Sequence, residues 1–313
     1  MSALRGRPAA LVGGVLGALA IAGCGVGPAP TAVQLVVTRE FGSQIVRHSG
    51  PLKADGDETV MRLLKHQDTV ATIASGHIVQ SIDGLADSRQ AGVPRNWFYY
   101  VNGVEAPRGA ARTNVYPGDH IWWDLHDWSQ AEEVPAVVGS FPEPFANGSG
   151  GKRWPVRIEC AADAGQACHT VTERLRALGV PAAISAIGSG AAPETLRVMV
   201  GPWRALEGTV AKNLEHGPRA SGVYARFSAG GEQLTLLDQN GRPVRTLTAG
   251  VGLVAATRQG EEVEVEAPLW VITGTDGAGV ERAARALDSA TLENHFAVAV
   301  GPDGALALPQ VSR

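Results

Sequence analysis

The chain has 313 residues, enough for two domains, and 44% of them are hydrophobic, so packed cores can form. Its net charge of −4, with 19% charged residues, provides no broad basic surface and so excludes nucleic acid as the expected partner. The 39 glycines suit a chain rich in turns.

At the amino terminus, Arg5 and Arg7 precede an apolar run from Ala9 to Ala22. The run is too short to cross a bilayer and has the length of a secretory hydrophobic region. It ends Ile21-Ala22-Gly23-Cys24, small residues directly before a cysteine. This pattern resembles the bacterial lipobox, which implies a signal peptide over residues 1–23 and a lipid on Cys24. An ordinary signal peptide with an incidental cysteine is the alternative. Residues 24–30 read as a tether. No second hydrophobic span follows, so the expected location is the extracytoplasmic face of the cell membrane, with acyl chains as the anchor. With Cys24 used, Cys160 and Cys168 remain, and an even pair in an oxidising compartment suggests a disulfide. Their spacing matches no zinc knuckle.

Residues 31–134 read as a first domain. Val33 to Thr38 is an apolar strand that can pair with Gln44 to Arg47 through Phe41-Gly42-Ser43. Asp57 to Lys65 reads as a short helix with Asp57 as its cap, because Val60, Leu63 and Leu64 share a face. Ile78 to Ile82 is a further strand, and Leu85 to Pro94 is polar and irregular. The stretch Asn96 to Trp128 then holds Trp97, Trp122, Trp123 and Trp128, four of the seven tryptophans. Trp97 to Val101 is a β-forming run closed by Asn102-Gly103, a hairpin turn signal. Pro117-Gly118-Asp119 is a second turn, and it starts the strand His120 to Trp128.

The run W-F-Y-Y-V-N-G at Trp97 to Gly103, with P-G-D-x-I-x-W at Pro117 to Trp123, resembles the transcobalamin-like carboxy-terminal domain. That module is of the β-grasp type and of unknown function, and it occurs in bacterial surface proteins and lipoproteins. The resemblance covers about residues 31–128. In vitamin B12 carriers the matching domain helps to cover the corrin, so it implies a ring-bearing, cobalamin-like ligand. No contact residues carry over, and the all-helical domain that supplies the other half of the carriers' site has no counterpart in this sequence.

Strand alternation puts Ile121, Trp123 and Leu125 on one face and His120, Trp122, Asp124 and His126 on the other. Three readings of the second face stay open. Trp122 and Trp128 pack beneath the Glu105–Val115 loop or against a second domain. Alternatively the aromatics bind a flat ligand, with Trp97, Tyr99, Asn102, Trp122, His126 and Trp128 as candidates. The third reading is a metal site of His120, Asp124 and His126, which lacks a clear fourth ligand.

Residues 135–154 read as a Pro/Gly-rich linker, and residues 155–313 as an α+β domain. There, Val156–Glu159, a helix over Gly165–Leu178, Ala182–Ile187, Thr195–Val200, a helix over Arg204–Leu214, and Gly222–Phe227 give the order β-α-β-β-α-β. That order is ferredoxin-like. Leu234–Leu237 and Pro243–Leu247 read as a hairpin. Leu253–Arg258, Glu262–Glu266, Leu269–Thr273 and Phe296–Val300 follow as strands of a mixed sheet, with a helix over Gly277–Leu287. The turn Gly274 to Gly279 lacks the residues of a P-loop and reads as a plain strand–helix connection. Arg197-Val198-Met199-Val200-Gly201-Pro202-Trp203 resembles one strand and turn of SPOR peptidoglycan-binding domains, which points to the cell wall.

The expected fold class is therefore α+β: a β-grasp-like domain followed by a ferredoxin-like or mixed-sheet α+β domain. No GxSxG, HExxH or Cys–His pair stands out, so the expected role is non-catalytic, with neither cofactor nor metal. It is a lipid-anchored binding protein for a small ring-bearing molecule, with the membrane as one partner and a small ligand or peptidoglycan as another. The alternative is a structural or cell-wall interaction module.

Overall fold

The computed structural model describes residues 31–54, 56–86, 88–90, 93–259 and 267–310. The expected signal peptide, Cys24, the tether and the Glu262–Glu266 strand lie outside the described residues. Among those described, no helix is long and apolar enough to cross a membrane.

The fold is α+β. The first sheet has the spatial order Gln44–Leu52, Val33–Arg39, His120–Asp127, Val93–Val101, Ser88–Gln90. Val33–Arg39 and His120–Asp127 run parallel at its centre, Gln34 opposite His120 and Leu35 opposite Ile121. Their neighbours are antiparallel. This is the order of a β-grasp sheet. The helix Val60–Gln67 lies on one face, and its cap is Thr59, whose side chain accepts from the Arg62 N–H, rather than Asp57. A short polar side chain is needed one residue before the first helical one, and Thr59 holds that position. Val60, Leu63 and Leu64 pack there with Leu35, Val37, Ile121, Trp123 and Leu125. The aromatic strand begins at Val93, before the expected Trp97.

The second sheet is mixed. Ala182–Ala186, Val156–Cys160, Leu196–Pro202 and Leu269–Gly274 are parallel neighbours in that order. Gly252–Thr257, Ala297–Gly301 and Gly304–Leu308 continue it antiparallel. Its central strands are apolar on both faces, the mark of a sheet covered twice. Val198, Val200, Val254, Trp270 and Ile272 meet one cluster with buried residues of the helices Gly165–Ala177 and Gly277–Arg285. Met199, Leu253, Ala255, Leu269 and Val271 meet the other.

The ferredoxin-like option is not what the chain adopts. The helix expected over Arg204–Leu214 is one turn, Trp203–Leu206, stopped where Glu207 turns extended (φ −52°, ψ 133°). The strand after it, Ala225–Phe227, pairs with Leu234–Leu237 in a separate three-stranded sheet and not with Val156–Cys160. A disulfide joins Cys160 at the end of its strand to Cys168 in the following helix.

The expected linker is packed. Val137 and Val138 are fully buried, and Phe141 and Phe145 lie against Trp270. The two sheets also share a core. Val36, Phe41, Tyr100 and Trp122 of the first cluster with Met199, Trp203, Tyr224, Leu253 and Phe296 of the second half. The Phe296 ring stands edge-on to Trp122, with centroids 5.2 Å apart. Gly139 permits this approach, since a Cβ there would lie 2.8 Å from the Trp122 ring and 2.6 Å from the His295 nitrogen.

At the rim of this core sits the buried Asp124 carboxylate. It accepts from the Thr38 hydroxyl, from Phe41 N–H (3.1 Å) and from Gly42 N–H (2.9 Å), and it contacts His126 Nδ1 (2.8 Å). Trp122 Nε1 donates to the Thr38 hydroxyl at 2.7 Å. Asp124 thereby fixes the Arg39–Gln44 turn, in which Glu40 and Phe41 hold positive φ (57° and 58°). Asp124→Ala strands several buried polar groups at once, so we expect a loss of about 3 kcal/mol or more in urea unfolding. A loss below about 1 kcal/mol would show that these contacts do not carry the interface.

Candidate functional site

The six aromatic and polar candidates do not form one open surface. Trp97 and Tyr99 point to the helix-covered face, where Trp97 Nε1 donates to the Leu85 carbonyl (3.2 Å) and Tyr99 stacks on Trp123 (4.8 Å). Trp122 is fully buried on the opposite face, between the sheets. His126, 1% exposed, stacks on Phe98 at 4.5 Å and lies 4.6 Å from Phe41. Trp128 is half-buried, and its indole donates to Asn96 at 3.1 Å. The face expected to take a flat ligand is filled by Phe41, Tyr224 and Phe296 of the protein itself. As for a metal, Asp124 is already engaged by Thr38, two backbone N–H groups and His126, which leaves it no free lone pair to offer one. His120 is half-buried with its Nδ1 enclosed and unpaired among the described residues, and its pKa is pushed down to about 4 by desolvation first and by His48 second.

Asn102 has a different task. With Gly103 it makes the predicted two-residue turn (φ 54° and 75°) that leads into the short Val104–Glu105 strand. Its side chain donates to Asp119 Oδ1 and to the Gly148 carbonyl, each at 2.8 Å, and accepts from the His120 N–H at 2.8 Å. Asn102 is thus fully used in joining the turn, the start of the last strand and the linker.

Beyond that turn the structure opens a cleft of about 680 Å³ that composition and spacing did not reveal. The loop 106–116 forms one wall, Ser149 to Lys152 of the linker a second, and Thr257, Arg258, Ala267 and Pro268 a third. The volume is that of a small-molecule site. Tyr99 holds the first wall from below: its hydroxyl bonds the Arg108 carbonyl and Thr113 Oγ1 (2.8 Å). Arg108 and Arg112 on this wall are exposed and make no ion pair among the described residues.

The acidic side of the cleft is Glu105 and Glu133. Glu133 pairs with Arg258. Glu105 Oε2 accepts from the Val134 N–H at 2.9 Å. Burial, then repulsion from Glu133, pushes the Glu105 pKa up to about 8, against the pull of the Val134 N–H and Arg258. At neutral pH this carboxyl is mostly protonated and can donate a hydrogen bond as well as accept one.

With this geometry in view, comparison with known proteins bears on the first sheet. Residues 57–127 match a domain of unknown function, DUF4430. That family is transcobalamin-like. The match spans less than a quarter of the chain and excludes the first two strands, which complete the same sheet. No curated protein matches the chain.

Glu105 yields a pH test. Its folded pKa lies above the unfolded value of 4.5, so between these pH values the folded state binds more protons. Stability therefore falls as pH rises from about 4.5 through about 8. Glu105→Gln keeps the acceptor for Val134 and removes the charge. The variant should gain about 2–4 kcal/mol over the parent at pH 9 and nothing at pH 4, read by urea unfolding. An equal pH dependence in both proteins would show that Glu105 ionises freely.

Proposed function

We propose that this protein is a lipid-anchored, extracytoplasmic, non-catalytic binding protein whose ligand occupies the cleft at Arg108 and Arg112 and carries an anionic group. The observation that carries the reading is the pairing of those two guanidinium groups, which make no ion pair among the described residues, with a concave, partly apolar site of small-molecule size. The match of residues 57–127 to a transcobalamin-like family supports a binding role outside the cytoplasm. The Ile21-Ala22-Gly23-Cys24 sequence supports the lipid anchor. A corrin lying on the aromatic strands is disfavoured, because Phe296 and Tyr224 occupy that face.

A structural or cell-wall interaction role is the second reading. The burial of Trp122 between the sheets favours it, since it assigns the aromatic cluster to packing.

Titrating the isotope-labelled chain from residue 25 onward with citrate tests the first reading. Citrate should shift the backbone amides of Thr113 to Tyr116 and of Ser149 and Gly150, and the Arg108→Ala/Arg112→Ala double variant should lose at least about tenfold in affinity. Both arginines are exposed, so the variant keeps its fold. Shifts confined to other regions, or equal affinity in the variant, would refute the cleft as the ligand site.

A further inference from the structure

One aromatic ring does line the cleft, and it lies outside the buried cluster. Tyr116 is half-buried and forms part of the cleft wall between the loop of Arg112 and the linker. Its place is set by a rigid turn. The Tyr116 N–H donates to Asp119 Oδ2 at 2.8 Å, and the Asp119 N–H donates back to the Tyr116 carbonyl at 3.0 Å. Asp119 Oδ1 in turn accepts from Asn102. The linker backs the ring: a Cβ on Gly151 would stand 2.7 Å from Tyr116 Cδ1, so only glycine lets the backbone lie against it. A tyrosine with a fixed mount, a backed ring and a cleft before it is a stacking platform at low entropic cost.

The groups around that platform select among ring-bearing ligands. A nucleotide would bring several phosphate charges to a cleft whose other two cations, Arg258 and Lys152, are already paired with Glu133 and Glu194, which leaves only the Arg108 and Arg112 guanidinium groups of the described lining to meet them. A neutral sugar would leave Arg108 and Arg112 unused. A pyranose with one carboxylate satisfies every wall. Its C–H face meets the negative face of the tyrosine, and its carboxylate takes the forked guanidinium donors. Its hydroxyl or amide groups face Glu105, Asn114 and Ser149, which can accept or donate.

We propose that the cleft binds a carboxylated pyranose, with Tyr116 under the sugar ring and Arg108 and Arg112 on the carboxylate. This rests on the reading of the cleft as the ligand site and names the ligand class for it. The cleft has room beyond a single ring, so a short acidic glycan fits as well as a monosaccharide.

Three probes separate the parts: N-acetylmuramic acid has ring and carboxylate, N-acetylglucosamine the ring alone, and D-lactate the carboxylate alone. Calorimetric or chemical-shift titration should rank N-acetylmuramic acid at least about tenfold above either fragment. Glucuronic acid, run alongside, distinguishes a uronic acid from a lactyl sugar; tight binding of either through Tyr116 and the arginines upholds the proposal. Tyr116→Leu should lower the affinity for the acidic sugar about tenfold and leave D-lactate unchanged, while Tyr116→Phe keeps the ring and the affinity. Unfolding midpoints of the variants confirm that they are folded. If D-lactate binds as tightly as the acidic sugars and Tyr116→Leu changes nothing, while the double arginine variant loses binding, the ring platform is wrong and the anion site stands. If neither citrate nor any of these probes binds the parent, the cleft reading and the sugar proposal fall together.

Discussion

The structure depends on one contact, the burial of the outer face of the first sheet against the second half of the chain. Trp122, Tyr100 and Phe41 from one side and Phe296 and Tyr224 from the other form a single aromatic cluster. Large aromatic areas are expensive to leave in water and cheap to order. Asp124 gathers part of the polar chemistry that this packing drags inside, taking donors from Thr38 and from the Phe41 and Gly42 N–H groups and contacting His126, while the Tyr100 and Tyr224 hydroxyls have no hydrogen-bond partner among the described residues. The dense aromatic stretch serves first to hold the chain together.

That docking also decides where a ligand can go. With one face of the first sheet closed by the helix and the other by the second half, a cleft of small-molecule size lies beside the Asn102-Gly103 turn, where the two halves and the linker diverge. Several residues that the sequence points to as ligand contacts support this cleft from behind. Tyr99 ties down the loop that carries Arg108, and Asn102 holds the turn on which Tyr116 sits. Their chemistry is polar and specific, as expected of a site, but it is spent on backbone.

The electrostatics of the cleft follow from partial burial. Glu105 lies where desolvation and Glu133 both oppose its charge, while Arg108 and Arg112, a short distance along the wall, stay in water. A neutral hydrogen-bonding group beside exposed guanidinium groups suits a ligand that joins an anionic group to hydroxyl or amide groups.

Period and turn chemistry determined much of this by themselves. The alternation of Ile121, Trp123 and Leu125 against Trp122 and His126 is local stereochemistry, and so is the hairpin at Asn102-Gly103, which needs two positive φ values. The pairing of Cys160 with Cys168 follows from cysteine count, since they are the even pair left once Cys24 is set aside. Tertiary structure decided the rest, because alternation says which residues share a face and not what covers that face. An open Trp122 and a Trp122 packed on Phe296 have the same local sequence, and the partner is 174 residues away. The ferredoxin-like order failed for the same reason: Ala225–Phe227 is a strand in either topology, and only long-range packing assigned it to a different sheet. The cleft was beyond reach of the sequence because its walls come from three separate segments, and the spacing of Glu105, Ser149 and Arg258 along the chain carries no trace of their meeting.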